Sequence, residues 1–221
     1  MPAEPKGTLF DLCGGHPALD LVNSLDNRFR ADGPDEMLAS YADLLRFLEE
    51  SGLLSRPHVR ALNKTIEPDA AARAVQSAHE LREATAAVLY GILDRKEPRQ
   101  QDVTVLEKHF LDAARHRELQ WGTGKSGSAR PGKLAFTGRA GFAWGWGRYE
   151  HEPNLPVWVL AEPVSDILLS PDITRVRTCA ADTCRWLFLD TSKNHTRRWC
   201  NMKVCGNRMK ARRFQARHDQ T

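Results

Sequence analysis

Apolar positions recur at helical spacing through most of the N-terminal part of the chain. After Pro17, which suits a first helical turn, Leu21, Val22 and Leu25 share one side while Asp20, Asn23, Ser24 and Asn27 share the other. The stretch from Met37 to Leu54 has the same period and frays at Ser51-Gly52. A long helix is expected from about Asp69 to Arg95, rich in Ala, Glu, Leu and Arg, with Ala78, Leu81, Thr85, Val88 and Ile92 inward. Another starts at Pro98 and runs to about Trp121 through Val105, Leu106, Phe110, Leu111 and Ala114.

The period then changes. Gly122 to Lys133 is a Gly/Ser loop with basic residues, and Leu134 to Gly147 reads as a hairpin with Phe142, Trp144 and Trp146 alternating on one face. Gly122-Thr-Gly-Lys-Ser126 imitates the end of a phosphate-binding loop. Leu119 stands where that loop needs its first glycine, and no strand precedes it, so the motif is rejected. Pro156 to Leu169 predicts a last helix that Pro163 should kink or start late. Ser170-Pro171-Asp172 marks a boundary.

Charge divides at that boundary. Residues 1–174 carry a net −5 and residues 175–221 a net +9, within a total of +4 over 221 residues. Segregation of this kind predicts two modules with different partners, the basic one suited to a polyanion. No apolar run is long enough to span a bilayer and the start of the chain lacks a secretory pattern, so the expected compartment is the cytoplasm.

Cysteine usage divides the same way. Cys13 stands alone, whereas Cys179, Cys184, Cys200 and Cys205 form two Cys-x4-Cys pairs. Four thiolates on two short loops suit a structural Zn²⁺ in a closed tetrahedral shell. Two disulfides, four unrelated thiols, or His195 replacing one cysteine are the alternatives. Between the pairs, Trp186 to Asp190 has strand character, Thr191 to Asn194 is a turn, and His195 to Trp199 runs back into Cys200. A basic helix follows Cys205. Knuckle, hairpin and helix together give a treble-clef layout, with Trp186, Phe188, Trp199 and Phe214 as its small core.

The stretch Arg197-Arg-Trp-Cys-Asn-Met-Lys-Val-Cys-Gly-Asn-Arg208, preceded by Asp190-Thr-Ser-Lys-Asn194, resembles the CGNR zinc finger, named for the tetrapeptide seen here at 205–208. Gly15-His16 and Leu19-Asp20-Leu21-Val22-Asn23 resemble the ABATE domain that precedes this finger in bacterial proteins described as stress-induced transcription regulators. The resemblance spans nearly the whole chain. It implies a DNA-binding regulator whose N-terminal part receives a signal.

The expected fold class is therefore α+β. Residues 1–172 form a mainly helical domain with a small hairpin, and residues 173–221 form a treble-clef-like zinc finger. Arg197, Arg198, Lys203, Asn207, Arg208, Lys210, Arg212 and Arg213 are the candidate DNA contacts, Arg and Lys for phosphates and guanine edges, Asn207 for adenine or as a helix cap. His16, Asp20, Asn23 and Arg28 are candidates for one wall of a small-molecule effector pocket, against the plainer reading of a solvated helix face. Cys13 as a redox input is a weaker idea, and the N-terminal helices are a candidate homodimer surface. No nucleophile–base pair or open metal site is evident, so no enzyme activity is expected. The competing reading is an adaptor whose zinc module docks on another protein.

Overall fold

The computed structural model describes residues 9–122, 141–146 and 149–218. Most of the expected Gly/Ser loop, the glycine-lysine-serine motif within it and the first half of the expected hairpin lie outside those residues. Over the described residues the fold is mainly helical with three two-stranded antiparallel sheets.

Helix α1, Pro17–Asn23, begins at His16, whose imidazole accepts from the Ala18 N–H. Gly14 packs so closely on it that a Cβ would lie 2.7 Å from Asp20 Oδ1, so only glycine fits. The helix is not the half-solvated element its periodicity predicts, because Ala18 through Asn23 are all buried. Apolar neighbours cover one side and the finger covers the polar side. Helix α2, Tyr41–Glu50, starts four residues inside the expected span, where Ser40 and Asp43 cap each other's backbone reciprocally. Helix α3, Arg56–Thr65, is not among the expected elements, although Val59, Leu62 and Ile66 recur at helical spacing and pack on the core, Leu62 fully buried.

Helices α4, Pro68–Leu93, α5, Gln100–Arg115, and α6, Leu155–Leu169, pack together as the body of the domain. Arg82 of α4 is buried but forms a fork with Glu36, at 2.7 and 2.6 Å, so its charge is compensated. Helix α6 is buried on nearly every side and stays continuous through Pro163, which leaves the Val159 carbonyl without its helical donor. Trp158 of α6 donates to Asp112 of α5 at 2.6 Å and stacks on His116 at 3.7 Å.

Helix α5 stops six residues before the expected Trp121. There Glu118–Gly122 forms strand β3, after the short pair β1, Leu25–Asp26, and β2, Asp35–Glu36. Strand β3 pairs with β4, Gly141–Gly145, in the register Leu119↔Trp144 and Trp121↔Phe142. The strand partner of β4 is therefore the end of the α5 segment. Leu119 and Trp121, spaced by two, switch from a helical to a strand alternation at that point.

Strands β5, Val176–Thr178, and β6, Leu187–Leu189, bracket the first cysteine pair. Leu187, Leu189 and Val176 join the core of the helical domain, whereas Phe188, pointing the other way, joins the cysteines. The strand expected to return over His195–Trp199 is irregular, and β5 supplies the pairing instead. Met202–Gly206 forms a wide helical turn leading into α7, Asn207–His218. Among the described residues no helix is long and apolar enough to cross a membrane.

Candidate metal centre and nucleic-acid surface

Each half of the finger is shaped by local backbone bonds before its thiols converge. The first knuckle closes through Cys184 N–H to Ala181 O at 3.0 Å and Cys179 N–H to Trp186 O at 2.8 Å. Inside the second pair, directly after Cys200, the Asn201 side chain accepts from Lys203 N–H at 3.0 Å. Ala180 N–H donates to Arg198 O at 2.9 Å and joins the halves. Asp190, fully buried, accepts from Ser192 N–H and Oγ and from Arg197 N–H, which orders the turn. The Ser192 hydrogen bond holds its carboxyl below the usual range.

The four sulfurs of Cys179, Cys184, Cys200 and Cys205 all lie within 4.8 Å of one another. Cys184–Cys200 is 3.6 Å and Cys200–Cys205 is 3.7 Å. A metal–sulfur length of about 2.3 Å in a tetrahedron puts sulfurs roughly 3.8 Å apart, so the residues fit a four-thiolate centre. All five cysteines are free, which sets the disulfide alternative aside, and His195 is exposed and outside the cluster. Hydrogen bonds from Cys184 and Cys200 favour the Cys179 thiolate, while that bond pushes the Cys184 thiol up. Contacts with Cys13 and Cys179 raise Cys200, and burial raises Cys205. Without a cation only one of the four sulfurs is favoured as thiolate, so a metal binding to all four would release protons. Cys13 thus packs against the centre, a role that its distance of many residues from the other cysteines concealed.

The candidate DNA residues separate into two groups. Arg197 is drawn inward: its guanidinium donates to the carbonyls of Trp199, Leu189, Cys13 and Cys200 and lies 4.5 Å from the Phe188 ring centre. It staples the finger and has little left to offer a nucleic acid. Arg198, Lys203, Arg208, Lys210 and Arg212 are exposed. Arg208 and Arg212, one turn apart on α7, reach toward Thr183 at 3.4 Å and Asp182 at 3.8 Å on the first knuckle. Asn207 donates to Lys203 O at 3.0 Å, bracing the turn. The Arg213 side chain lies outside the described residues. Phe214, expected in the finger core, is 65% exposed; Trp186 and Trp199 pack where expected, around Phe188.

The candidate effector residues do not form one wall. Asp20 and Asn23 are turned inward and engaged: Asp20 accepts from Gly14 N–H at 2.7 Å, and burial pushes its carboxyl up to about 7. Asn23 makes two 2.9 Å bonds to the backbone of Leu187, acting as a strand partner for β6. His16 caps α1, and burial lowers its imidazole. Arg28 pairs with Glu83 and donates to Val22 O at 3.2 Å. Asn23 therefore lies on the seam with the finger, where Trp186 also donates to Asp26 at 2.8 Å and Leu189 N–H to Gly14 O at 2.7 Å, and Asp20 stands behind it holding Gly14. Local periodicity could not reveal a partner 164 residues away.

Fold and site together define a helical domain seamed to a four-thiolate finger with an exposed basic helix. A family model described as "Putative stress-induced transcription regulator", the ABATE family, matches residues 15–171, and the CGNR zinc finger model matches residues 175–218. The chain belongs to the ABATE family and ends in a CGNR zinc finger. No curated protein matches it.

Proposed function

We propose that the chain is a transcription regulator that binds DNA through its finger, with Zn²⁺ as the structural metal. The observation that supports this most is the placement of Arg198, Lys203, Arg208, Lys210 and Arg212, all exposed on a module held together by the four cysteines. The remainder of the chain is net acidic, so a polyanion would be drawn to one end. Phosphate contacts by these side chains supply affinity, and Arg208 or Arg212 supplies base readout if α7 enters the major groove. Four thiolates close the metal's shell, which assigns it to folding and leaves the protein without catalytic chemistry there. Reduced thiols of this kind fit the cytoplasm.

A mobility shift with duplex DNA at low and moderate salt tests the reading. Affinity should fall steeply with salt and flatten when Arg208 and Arg212 are both changed to Glu. An affinity indifferent to salt, or unchanged after chelation, would overturn it. One observation favours a docking module instead: Met202 and Val204, 55% and 45% exposed, stand beside the basic residues. Under that reading Met202→Ser would abolish partner capture while DNA binding stays absent.

A further inference from the structure

Between α4 and α5, on the side of the helical domain nearest the first knuckle, lies a groove of about 530 Å³. That volume is within the roughly 300–1,000 Å³ range of small-molecule sites. Ala84 and Ala87 of α4 and Val105 of α5 line it with short side chains. Phe29 and Tyr90, edge to face at 5.2 Å, form one end.

The charges around the groove are unequally committed. Arg28 is paired with Glu83, and Arg99 with Asp102 at 2.8 Å. Glu80, one turn from Glu83 and Ala84 on the same face of α4, has no ion-pair partner among the described residues. Anions would meet three carboxylates and two occupied guanidiniums. A cation would meet one uncommitted carboxylate beside aromatic rings that favour positive charge.

The same two aromatic residues hold the finger. Tyr90 Oη donates to Arg185 O at 2.9 Å, and the Arg185 guanidinium sits 4.2 Å from the Phe29 ring centre. Arg185 directly follows Cys184 and is in the left-handed region at φ 56°, where a non-glycine residue must be held by its surroundings. Phe29 and Tyr90 do that holding.

We propose that this groove is a binding site for a small aromatic ammonium compound, and that its occupancy is transmitted through Phe29 and Tyr90 to Arg185 and the metal knuckle. A ligand that rearranges Phe29 shifts the equilibrium of the finger by its differential affinity for the two arrangements.

The test uses the full zinc-loaded chain and amide NMR, with phenethylammonium as probe and phenylacetate as its charge-reversed control. Phenethylammonium should shift the amides of both Ala87 and Arg185 saturably, and phenylacetate should bind at least tenfold more weakly. Glu80→Gln, an exposed change that leaves packing alone, should weaken the amine several-fold, and Ala87→Trp should abolish binding by filling the groove. No saturable shift, equal response to phenylacetate, or shifts unaltered by both substitutions overturn the site. A shift at Ala87 without one at Arg185 overturns the transmission. None of these readouts involves DNA, so failure of the DNA-binding reading leaves them intact.

Discussion

The helical body and the finger exclude water by different means. In the body, Leu19, Leu21, Leu44, Phe47, Leu81 and Leu160 are essentially inaccessible and support one another across α1, α2, α4 and α6. The finger's own cluster is Phe188, Ala181 and the cysteines, with Trp186, Trp199 and Met209 half-buried around it. A unit this small cannot offset the entropy of ordering its chain by burial alone, and a metal held by the four cysteines would supply the difference. The two regions are nonetheless joined, because Leu187 and Leu189 of the finger belong to the body's core while Phe188 belongs to the metal's.

The largest expected effect is loss of the metal. Structural zinc contributes on the order of 10 kcal/mol to small fingers, so chelation or Cys205→Ser should release the second pair and α7. The body should survive with most of its helical circular dichroism, and limited proteolysis should cut after Cys179 while sparing α4 to α6. One cooperative transition that melts the whole chain on chelation would show that the seam, rather than the metal, governs the finger's stability.

Next comes the acid behind the seam, which holds Gly14. Asp20 titrates near 7 when folded, against the ordinary carboxylate value of 3.8 when unfolded. Between those values the unfolded chain has given up its proton and the folded one keeps it, so stability falls as pH rises from about 4 to 7 and levels off above. The full swing is at most on the order of 4 kcal/mol. Asp20→Asn, which preserves an acceptor for Gly14 N–H, should flatten that slope in denaturant titrations at a series of pH values. An unchanged slope would place the titrating group elsewhere.

Asn23→Ala should cost about 2–4 kcal/mol, since it strands the N–H and C=O of Leu187 in a buried strand. The comparison sharpens if this change lowers the body's melting temperature and also raises the finger's rate of metal loss to a chelator. A loss confined to one of them would mean that the seam is mechanically silent.

Residues differ in how far their neighbours along the chain disclose them. The four ligand cysteines were evident because spacing alone puts two thiols on each short turn. The long helix was placed within two residues of Pro68–Leu93 because its Ala, Leu and Glu content agrees with its burial. Strand β3 is hidden by its shortness: Leu119 and Trp121 alternate by two directly after a helical segment, and their pairing with Trp144 and Phe142, more than twenty residues on, is not visible locally. Asp20 and Asn23 looked like a solvated face, since polarity used against backbone outside the helix, Gly14 for one and Leu187 for the other, is locally identical to polarity used against water.

Arg197 and Arg212 show the same limit within the finger, and they give the smallest expected effects. Both are arginines in a basic motif, yet Arg197 donates to four backbone carbonyls while Arg212, among the described residues, meets Asp182 at 3.8 Å, with 48% of the Arg212 and 75% of the Asp182 side chain exposed. Arg197→Ala should cost about 2 kcal/mol by leaving partly buried carbonyls unpaired, and DNA affinity should drop only as far as the finger unfolds. Arg212→Ala should change stability by less than about 0.5 kcal/mol, as expected of an exposed ion pair. Its DNA affinity should nevertheless weaken, with a salt slope shallower by about one counterion. Measuring both variants at saturating zinc separates the roles. Equal losses of DNA affinity at equal folded fraction would mean that Arg197 also reaches the nucleic acid, and that the inward placement of its guanidinium yields on binding.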